Sequence, residues 1–380
     1  MKYAIVNCDI YTGERVLYNN GIIVDGKKIE EIRDIDKIPK ELDVIDLKGL
    51  NIAPGFIDLQ VNGGGGCLFN DNPTEECLSK IYEAHRQFGT TNFLPTIITT
   101  STQKILQSIE SVKSCMKENK YGILGLHIEG PYINESKAGV HDKKYIRRIS
   151  LDELKLIMEK GKDVIKLFTV APEVVTEEHI KYFKMYNINV SAGHTKATYD
   201  EAMRSFDWGI TKVTHLFNAM SPFESREPGV VGAAFDSNNV WAGIIVDGFH
   251  VHFGSVRIAK KIKGKKLILV TDAMPPVGSG ITEFKLGDLR VLYKDGKCTT
   301  EDGVLAGSSL NMATAVRNCV QKVGIPMDEA LRMASTYPAE YLGVRDTLGK
   351  IKTGYIANMV IFDNQVVVKA VISEGKYESF

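Results

Sequence analysis

The sequence predicts a (β/α)₈ TIM-like barrel with a small β-sandwich domain formed from both termini. Three observations lead to this fold class: the length of 380 residues, alternating strand and helix patterns in the middle, and β-rich segments at both ends. The length exceeds the usual size of one domain but suits one barrel with an appendage. The predicted β domain comprises residues 1–52 and 345–380, and the predicted barrel comprises residues 53–344.

The terminal segments share a β-rich pattern. In the first fifty residues, glycines separate short apolar runs, and no helical period persists. The last thirty residues are similar and include the runs NMVIFD and VVVKAVISEGKY. Because chain termini often lie close together, we expect the two segments to form one domain.

The middle of the chain alternates between β-branched runs and amphipathic stretches. The eight strand candidates are GFIDLQV, NFLPTII, ILGLHIEG, VIKLFTVAP, INVSAGHT, KVTHLFNA, VWAGIIVDGFH and KLILVTDA. Helix candidates between them include residues 74–88, 102–119, 150–160, 176–186 and 198–208. Eight strands in βα alternation predict a closed parallel barrel, with a doubly wound open sheet as the alternative.

Composition excludes several classes of protein. The chain is 44% hydrophobic and 25% charged, which is typical of a soluble globular enzyme and argues against disorder or coiled coil. Its 47 basic and 47 acidic residues cancel, so overall charge attracts neither nucleic acid nor an anionic membrane. We also find no signal-peptide pattern, no run of about 18 apolar residues and no C-x-x-C pair. These features predict a cytoplasmic protein whose six cysteines form no disulfide framework.

Polar side chains follow the apolar runs of seven of the eight strand candidates. They are Gln60 and Asn62, His127 and Glu129, Glu173, His194, His215 and Asn218, Asp247 and His250, and Asp272. The carboxyl ends of barrel strands converge on one face, where catalytic residues gather. The sequence therefore predicts an active site at this face.

Three of these side chains form a candidate metal site. Glu129, His194 and His215 offer one carboxylate and two imidazoles, which suit Zn²⁺ or Fe²⁺. The alternative is a hydrogen-bonded polar layer that closes the barrel. Asp272 ends the most apolar strand and, near a metal-activated water, could accept its proton and pass it to a leaving group. Its alternative role is to orient a ligand histidine.

Three loop features have weaker interpretations. The four glycines at 63–66 form either a flexible turn, which we favour, or a close approach to a ligand. Arg226, in the loop SPFESREPG, is a candidate anion-binding residue. Ser308 is predicted to be the N-cap of the apolar helix LNMATAVRNCV.

A set of motifs extends through nearly the whole chain. In order, they are PGFID, HIEGPYIN, SAGHTKAT, THLFNAM, REPG, DGFHV, LVTDAM and AGSSL. This order resembles the N-acetylglucosamine-6-phosphate deacetylases of the amidohydrolase superfamily. The resemblance implies a cytoplasmic homodimer, active in amino-sugar catabolism, that hydrolyses N-acetylglucosamine 6-phosphate to glucosamine 6-phosphate and acetate.

The resemblance also implies roles for individual residues. Glu129, His194 and His215 match the metal ligands, and Asp272 matches the general base that then acts as acid. His141, in KAGVHD, matches the histidine that polarises the acetyl carbonyl. The residues that match sugar-phosphate contacts are Val140, Asn218, Ala219, Arg226, His250, Leu305, Ala306 and Gly307. By the same resemblance, Arg226 acts across the dimer interface.

The end of the first strand departs from the superfamily pattern. Many amidohydrolases carry H-x-H there and bind a second metal, whereas this chain has Gln60-Val61-Asn62. Amides are poor ligands beside imidazole. The fourth strand, ending VAPE, also lacks a lysine that could be carbamylated to bridge two metals. We therefore expect one divalent ion per subunit, Zn²⁺ or Fe²⁺, and a vacant second-metal position at Gln60 and Asn62.

Three other functions compete with this interpretation. A cyclic amidase such as dihydroorotase or hydantoinase is disfavoured by the missing H-x-H and lysine. A non-catalytic sugar-phosphate-binding barrel is disfavoured because the ligand set and Asp272 are intact. A metal-independent sugar-phosphate isomerase would not explain why Glu129, His194 and His215 occur together at strand ends.

Overall fold

The computed structural model describes residues 2–380. In this range the strands are β1 (Lys2–Tyr11), β2 (Val16–Leu17), β3 (Asn20–Asp25), β4 (Lys28–Asp34), β5 (Asp43–Pro54), β6 (Phe56–Val61), β7 (Gly63–Gly64), β8 (Cys67–Leu68), β9 (Thr90–Ile98), β10 (Leu126–Glu129), β11 (Ile165–Val170), β12 (Asn189–Ala192), β13 (Ile210–Val213), β14 (Trp241–Ile244), β15 (Leu267–Leu269), β16 (Glu283–Leu286), β17 (Leu289–Lys294), β18 (Lys297–Thr300), β19 (Leu305–Ser308), β20 (Met359–Phe362), β21 (Val368–Ser373) and β22 (Lys376–Ser379).

The α-helices in the same range are α1 (Glu75–Arg86), α2 (Thr102–Lys117), α3 (Leu151–Gly161), α4 (Glu177–Met185), α5 (Tyr199–Trp208), α6 (Gly229–Asp236), α7 (Phe253–Lys263), α8 (Met312–Asn318), α9 (Met327–Ala334) and α10 (Thr336–Tyr341). The helices predicted at 74–88, 102–119, 150–160, 176–186 and 198–208 are confirmed as α1 to α5, with ends that differ by at most two residues. Thr198 shows why α5 begins where it does, because its hydroxyl accepts from the Glu201 N–H in a capping box.

Eight parallel strands form the predicted barrel. Their order is β6, β9, β10, β11, β12, β13, β14 and β15, which is also their order in the chain. The ring closes where Asp272 N donates to Gln60 O at 2.9 Å and Asn62 N donates to Ala273 O at 3.0 Å. A helix follows each strand before the next barrel strand or, after β15, later in the chain. The closed βα barrel is therefore confirmed, and the open doubly wound sheet is excluded.

The two termini form a separate eight-stranded sheet, as predicted. Its order is β22, β21, β20, β5, β1, β3 and β4, and β2 pairs with β1. N- and C-terminal segments meet where β20 lies antiparallel to β5, with Val360 opposite Ala53. Its apolar cluster likewise draws on both ends of the chain, including Ile5, Ile52 and Ile361.

A four-stranded antiparallel sheet between β15 and α8 is absent from the sequence prediction. Strands β16 to β19 pair in sequence order over Glu283–Leu286 through Leu305–Ser308. The sheet packs through an apolar cluster that includes Leu286, Val291 and Met274. The predicted N-cap role of Ser308 is wrong, because Ser308 ends β19 and Asn311 caps α8 by accepting from Thr314 N. The short polar turns between these strands masked their alternation.

The cysteines show one pairing that sequence analysis did not predict. A disulfide joins Cys67 to Cys77, ten residues further along the chain. The other four cysteines are buried. No helix within residues 2–380 has the length and apolar character needed to cross a bilayer.

Two compact units divide the chain. One comprises Met1–Asp58, His85–Asn92 and Asn311–Phe380, and the other comprises Leu59–Ala84 and Phe93–Leu310. The second unit contains every residue to which sequence analysis assigned a functional role. The boundaries predicted from the sequence, 1–52 with 345–380 against 53–344, stay a prediction.

Candidate active site

A cavity of about 370 Å³ lies at the carboxyl ends of the barrel strands. The predicted site residues that line it are Asn62, Glu129, Val140, His141, His194, His215, Asn218, Ala219, His250, Asp272, Leu305 and Gly307. Gln60, Ala306 and Arg226 are not among the lining residues. The barrel thus brings together residues that are up to 245 positions apart in the chain, from Asn62 to Gly307.

The three predicted metal ligands meet at one point of this cavity. Glu129 Oε1 lies 3.1 Å from His194 Nε2 and 3.0 Å from His215 Nε2. The two Nε2 atoms are 3.1 Å apart. Around a tetrahedral Zn²⁺, neighbouring ligand atoms are separated by roughly 3.3 Å. The spacing of these donors therefore fits one small divalent cation, and ligand atoms of His141, Glu129 and His194 also lie within 4.8 Å of one another.

The protonation pattern of this cluster suits a cation. His194 Nδ1 lies 2.8 Å from the Lys137 carbonyl oxygen, so Nδ1–H donates to that carbonyl and Nε2 is the nitrogen that faces Glu129. Burial opposes ionisation of Glu129, but hydrogen bonds from His194 and His215 outweigh it and hold the pKa of Glu129 well below its usual range. Burial lowers the pKa of His215, yet the hydrogen bond to Glu129 reverses this and raises it. A divalent cation would replace the proton that this cluster otherwise shares.

Gln60 and Asn62 act as hydrogen-bond donors at the predicted second-metal position. Gln60 Nε2 donates to Glu129 Oε2 at 3.0 Å and to Asp272 Oδ1 at 3.2 Å. Asn62 Nδ2 donates to the same Asp272 oxygen at 2.6 Å. An imidazole at either position would offer a lone pair to a metal, whereas these amides offer N–H groups to carboxylates. The arrangement favours a site with one metal and a fixed Asp272.

The Asp272 carboxyl is the candidate base. Burial, and next the negative charge of Glu129, raise its pKa above the usual value. A raised pKa makes the carboxylate a better proton acceptor. Asp272 therefore lies beside the ligand cluster with the chemistry of a general base.

His141 reaches the cavity with its ring oriented by Thr99. His141 Nδ1 lies 2.8 Å from Thr99 Oγ1, and its ring centre is 4.1 Å from that of His194. Burial, and next the charge of His194, lower the pKa of His141 well below its usual range, so the ring is neutral. If Nδ1 accepts from the Thr99 hydroxyl, Nε2 carries the hydrogen that a carbonyl oxygen would accept.

Sequence analysis missed Thr99. It follows β9, the one barrel strand to which no polar end was assigned. Threonine after an apolar strand is a weak signal, because it is common in strands for reasons of packing alone. The two hydroxyl side chains of Thr99 and Thr100, directly after the strand candidate NFLPTII, were the signal that could have indicated a polar strand end.

Several site residues have an unusual backbone conformation. The φ angles of His194, His215, Ala219 and Asp272 are +49°, +30°, +49° and +54°. Non-glycine residues rarely adopt positive φ, at a cost of about 1–3 kcal/mol each where strain results, and such residues cluster at functional sites. At Asp272, the main chain is held on both sides, since its N–H donates to Gln60 O and its carbonyl accepts from Ser308 N. The barrel thus fixes the direction in which these side chains point.

Glu173, which follows the barrel strand β11, joins two loops. It accepts from Thr195 Oγ1 at 2.5 Å, from Lys196 N at 2.7 Å and from Asn134 Nδ2 at 2.9 Å. Asn134 N in turn donates to the His194 carbonyl at 2.9 Å. Glu173 therefore supports the backbone that carries His194, in agreement with the absence of a predicted metal role for it.

The residues predicted to contact the sugar phosphate divide into two groups. Val140, Asn218, Ala219, His250, Leu305 and Gly307 line the cavity. Ala306 instead packs into the apolar cluster with Leu286 and Val291. Arg226 lies in the exposed loop between β13 and α6 and does not line the cavity of its own chain. Its predicted action on a neighbouring subunit stays a prediction.

Two known protein families match this chain, and together they cover nearly all of it. The amidohydrolase family matches residues 51–377, and the NagA composite domain matches residues 2–52. The chain belongs to the amidohydrolase family. Members of this family typically bind a divalent metal, and the donor atoms of Glu129, His194 and His215 lie close enough together to hold one.

Individual relatives of this amidohydrolase are similar over most of their length. The N-acetylglucosamine-6-phosphate deacetylase of Haemophilus influenzae is 42% identical over 381 residues, which cover 100% of both chains. The N-acetylgalactosamine-6-phosphate deacetylase of Shewanella sp. (strain ANA-3) is 41% identical over 326 residues, 86% of this chain and 82% of that one. The crystal structure of N-acetylglucosamine-6-phosphate deacetylase from Pasteurella multocida superposes with a TM-score of 0.98, at 42% identity and full coverage of both chains.

Proposed function

We propose that this amidohydrolase hydrolyses the N-acetyl group of N-acetyl-D-glucosamine 6-phosphate and releases D-glucosamine 6-phosphate and acetate. The observation that carries the proposal is the convergence of Glu129, His194 and His215 within 3.1 Å of one another, beside Asp272, in one cavity. The relatives named as deacetylases of this sugar phosphate support the substrate. The reaction belongs to amino-sugar catabolism, and we place the enzyme in the cytoplasm.

The chain's own residues divide the work of the reaction. One divalent ion, Zn²⁺ or Fe²⁺, held by Glu129, His194 and His215, would supply Lewis-acid chemistry that activates water and the acetyl carbonyl. Asp272 accepts the proton of the attacking water and then delivers it to the amine nitrogen, which leaves poorly without it. His141 donates from Nε2 to the acetyl oxygen as negative charge develops there, a contribution of about 3–4 kcal/mol for one well-placed donor.

Binding of the sugar phosphate holds the acetyl group at these residues. His250 and Arg226 bind the phosphate, and Arg226 reaches the site from the partner subunit of a homodimer. Asn218, Ala219 and the β19 residues Leu305 and Gly307 contact the sugar. Fixing the distant end of the substrate places the amide bond against Asp272 and lowers the entropy that remains to be lost.

An acetate-release assay with and without a chelator tests the proposal. We expect acetate from N-acetylglucosamine 6-phosphate, about one metal ion per chain, loss of nearly all activity after chelation and recovery with Zn²⁺ or Fe²⁺. Activity in the metal-free protein would contradict the metal role. Ring opening of dihydroorotate or hydantoin, without acetate release from the sugar phosphate, would favour a cyclic amidase instead.

The identity with the Shewanella relative supports a second candidate substrate. That protein is named for N-acetylgalactosamine 6-phosphate, the C4 epimer, and is nearly as similar as the Haemophilus relative. Both sugar phosphates therefore belong in the assay. If kcat/KM is at least tenfold higher for N-acetylgalactosamine 6-phosphate, that compound is the substrate in place of N-acetylglucosamine 6-phosphate. The proposed hydrolytic chemistry would be unchanged.

A further inference from the structure

Asp247 and His250 form a pair at the edge of the cavity, after β14. His250 Nδ1 lies 2.6 Å from Asp247 Oδ2, and the two side chains are 7% and 8% exposed. His250 lines the cavity, whereas Asp247 does not. Asp247 therefore acts on a ligand only through His250.

Backbone groups hold the Asp247 carboxylate in place. Asp247 Oδ1 accepts from the N–H groups of Phe249 and His250, each at 2.8 Å. Burial opposes ionisation, but the hydrogen bond from His250, together with these N–H groups, holds the pKa of Asp247 below its usual range. An ionised carboxylate only accepts hydrogen bonds, so His250 Nδ1 donates and Nε2 is the nitrogen left for a ligand.

Other charged groups also face His250. Asp272, Glu129 and His215 line the same cavity, and the charge of His250 lowers the pKa of Asp272. The Lys297 ammonium lies 4.6 Å from the ring centre of Phe249, the residue before His250 in the chain. A phosphate at His250 Nε2 would place the ring between two anions, with one ring N–H facing each.

We propose that Asp247 is a positioning residue for sugar-phosphate binding: it orients His250 through Nδ1 and stabilises the charged ring when Nε2 donates to the phosphate. The inference rests on the proposed function, from which it takes the contact between His250 and phosphate. The phosphate of the substrate then meets a charge-assisted donor, which is stronger than a neutral one.

The variant Asp247→Asn tests this role. Its amide oxygen can still accept from the two backbone N–H groups, but its NH₂ group then faces His250 Nδ1. The ring would have to accept at Nδ1 and would lose its charge while keeping a hydrogen on Nε2. We expect KM for the sugar phosphate to rise about tenfold while kcat stays within about twofold. Asp247→Ser, which also keeps a backbone acceptor, should raise KM similarly if the first variant folds poorly.

Asp71→Asn is the matched control. Asp71 is an exposed residue whose carboxyl accepts a backbone N–H from Gly287 and lines a neighbouring cavity rather than the active-site cavity. Its replacement should leave KM within about twofold. Calorimetry should show the affinity for glucosamine 6-phosphate falling about tenfold in Asp247→Asn, with no change for phosphate-free glucosamine.

A double variant separates positioning from a structural role. In a His250→Gln background, Asp247→Asn should have no further effect on KM, because both changes remove the same interaction. Additive effects, a loss of kcat at constant KM, or an unchanged KM in an active Asp247→Asn enzyme would each overturn this inference alone. A wild type that releases no acetate from either sugar phosphate would overturn the proposed function and this inference with it.

Discussion

The two ends of the cavity are built in different ways. The hydrolytic end consists of Glu129, His141, His194, His215 and Asp272, and the sugar-phosphate end consists of Asn218, Ala219, His250, Leu305 and Gly307. Most hydrolytic-end residues are buried and contact one another, at or near the ends of barrel strands. The residues of the sugar-phosphate end lie on loops or in β19 and are each partly exposed, although the His250 side chain itself is only 7% exposed. We therefore expect the chemistry to depend on residues at the ends of the barrel strands, and recognition to depend on the more exposed segments around them.

This difference separates two kinds of mutational effect. Changes at the hydrolytic end should lower kcat, because its groups act on the reacting atoms. Changes at the sugar-phosphate end should raise KM, because its groups hold a part of the substrate that does not react. A change at the hydrolytic end that mainly raises KM, or one at the sugar-phosphate end that mainly lowers kcat, would show that the two ends are not independent.

Replacement of Asp272 should have the largest effect. Asp272→Asn removes the proton acceptor but keeps a similar shape, so kcat should fall about 10³- to 10⁴-fold with KM within about threefold. This loss lies in the upper part of the range of about 10²- to 10⁴-fold that is typical of general acid–base catalysis, because Asp272 is proposed to act twice, as base and then as acid. Acetate release measures kcat, and metal analysis of the same sample should still find about one ion per chain.

Two results would contradict the role of Asp272. Substantial turnover by Asp272→Asn would assign the proton transfer to another group. Loss of the metal together with activity would instead make Asp272 a ligand, as the alternative interpretation of its position suggests.

Removal of the Gln60 amide should have an intermediate effect. Gln60→Met keeps the volume but removes the N–H donors to Glu129 and Asp272. Outer hydrogen-bond partners of this type are worth about 10- to 100-fold in activity. The donor stabilises the charged form of Asp272, so its loss should raise the pKa of Asp272 further. Since the ionised form is the base, the acidic limb of the kcat/KM profile should move to higher pH.

The pH profile distinguishes this explanation from a packing defect. A packing defect would lower activity evenly at all pH values and would lower the melting temperature. An unchanged acidic limb in Gln60→Met would show that Gln60 does not tune Asp272.

The hydrolytic end was also the more predictable end from sequence. Glu129, His194, His215 and Asp272 each follow an apolar strand, and the geometry of a barrel requires such positions to converge. Their roles as ligands and base stay predictions, but their proximity follows from the fold. Thr99 was missed because a threonine after a strand carries little chemical signal.

The sugar-phosphate end was less predictable because loops decide it. Ala306 and Gly307 are neighbours in sequence, yet Gly307 lines the cavity and Ala306 packs into an apolar cluster. The alternation of β19 sends successive side chains to opposite faces, and sequence analysis did not predict that strand. The sequence shows both Asp247 and His250 after a strand, but it does not show that they pair. Their relative orientation depends on a local turn, in which Asp247 accepts from two backbone N–H groups.

Arg226 provides the smallest predicted effect and the sharpest test of the comparison. It lies in an exposed loop and does not line the cavity of its own chain, while its proposed partner is the phosphate in the neighbouring subunit. Arg226→Ala should raise KM about tenfold, through loss of one charge-assisted contact, and leave kcat within about twofold. Arg204→Ala, at an exposed arginine of α5, is the matched control and should change neither constant.

The oligomeric state decides how the Arg226 result is interpreted. Mixing inactive Asp272→Asn with Arg226→Ala should produce hybrid dimers in which one site has both an intact Asp272 and an intact Arg226 from the partner. Such mixtures should regain a low KM in part of the population, whereas an arginine that acts within its own chain would give no such gain. A KM that stays unchanged in Arg226→Ala alone would place phosphate binding on His250 and the loops, and would confine the sugar-phosphate end to a single chain.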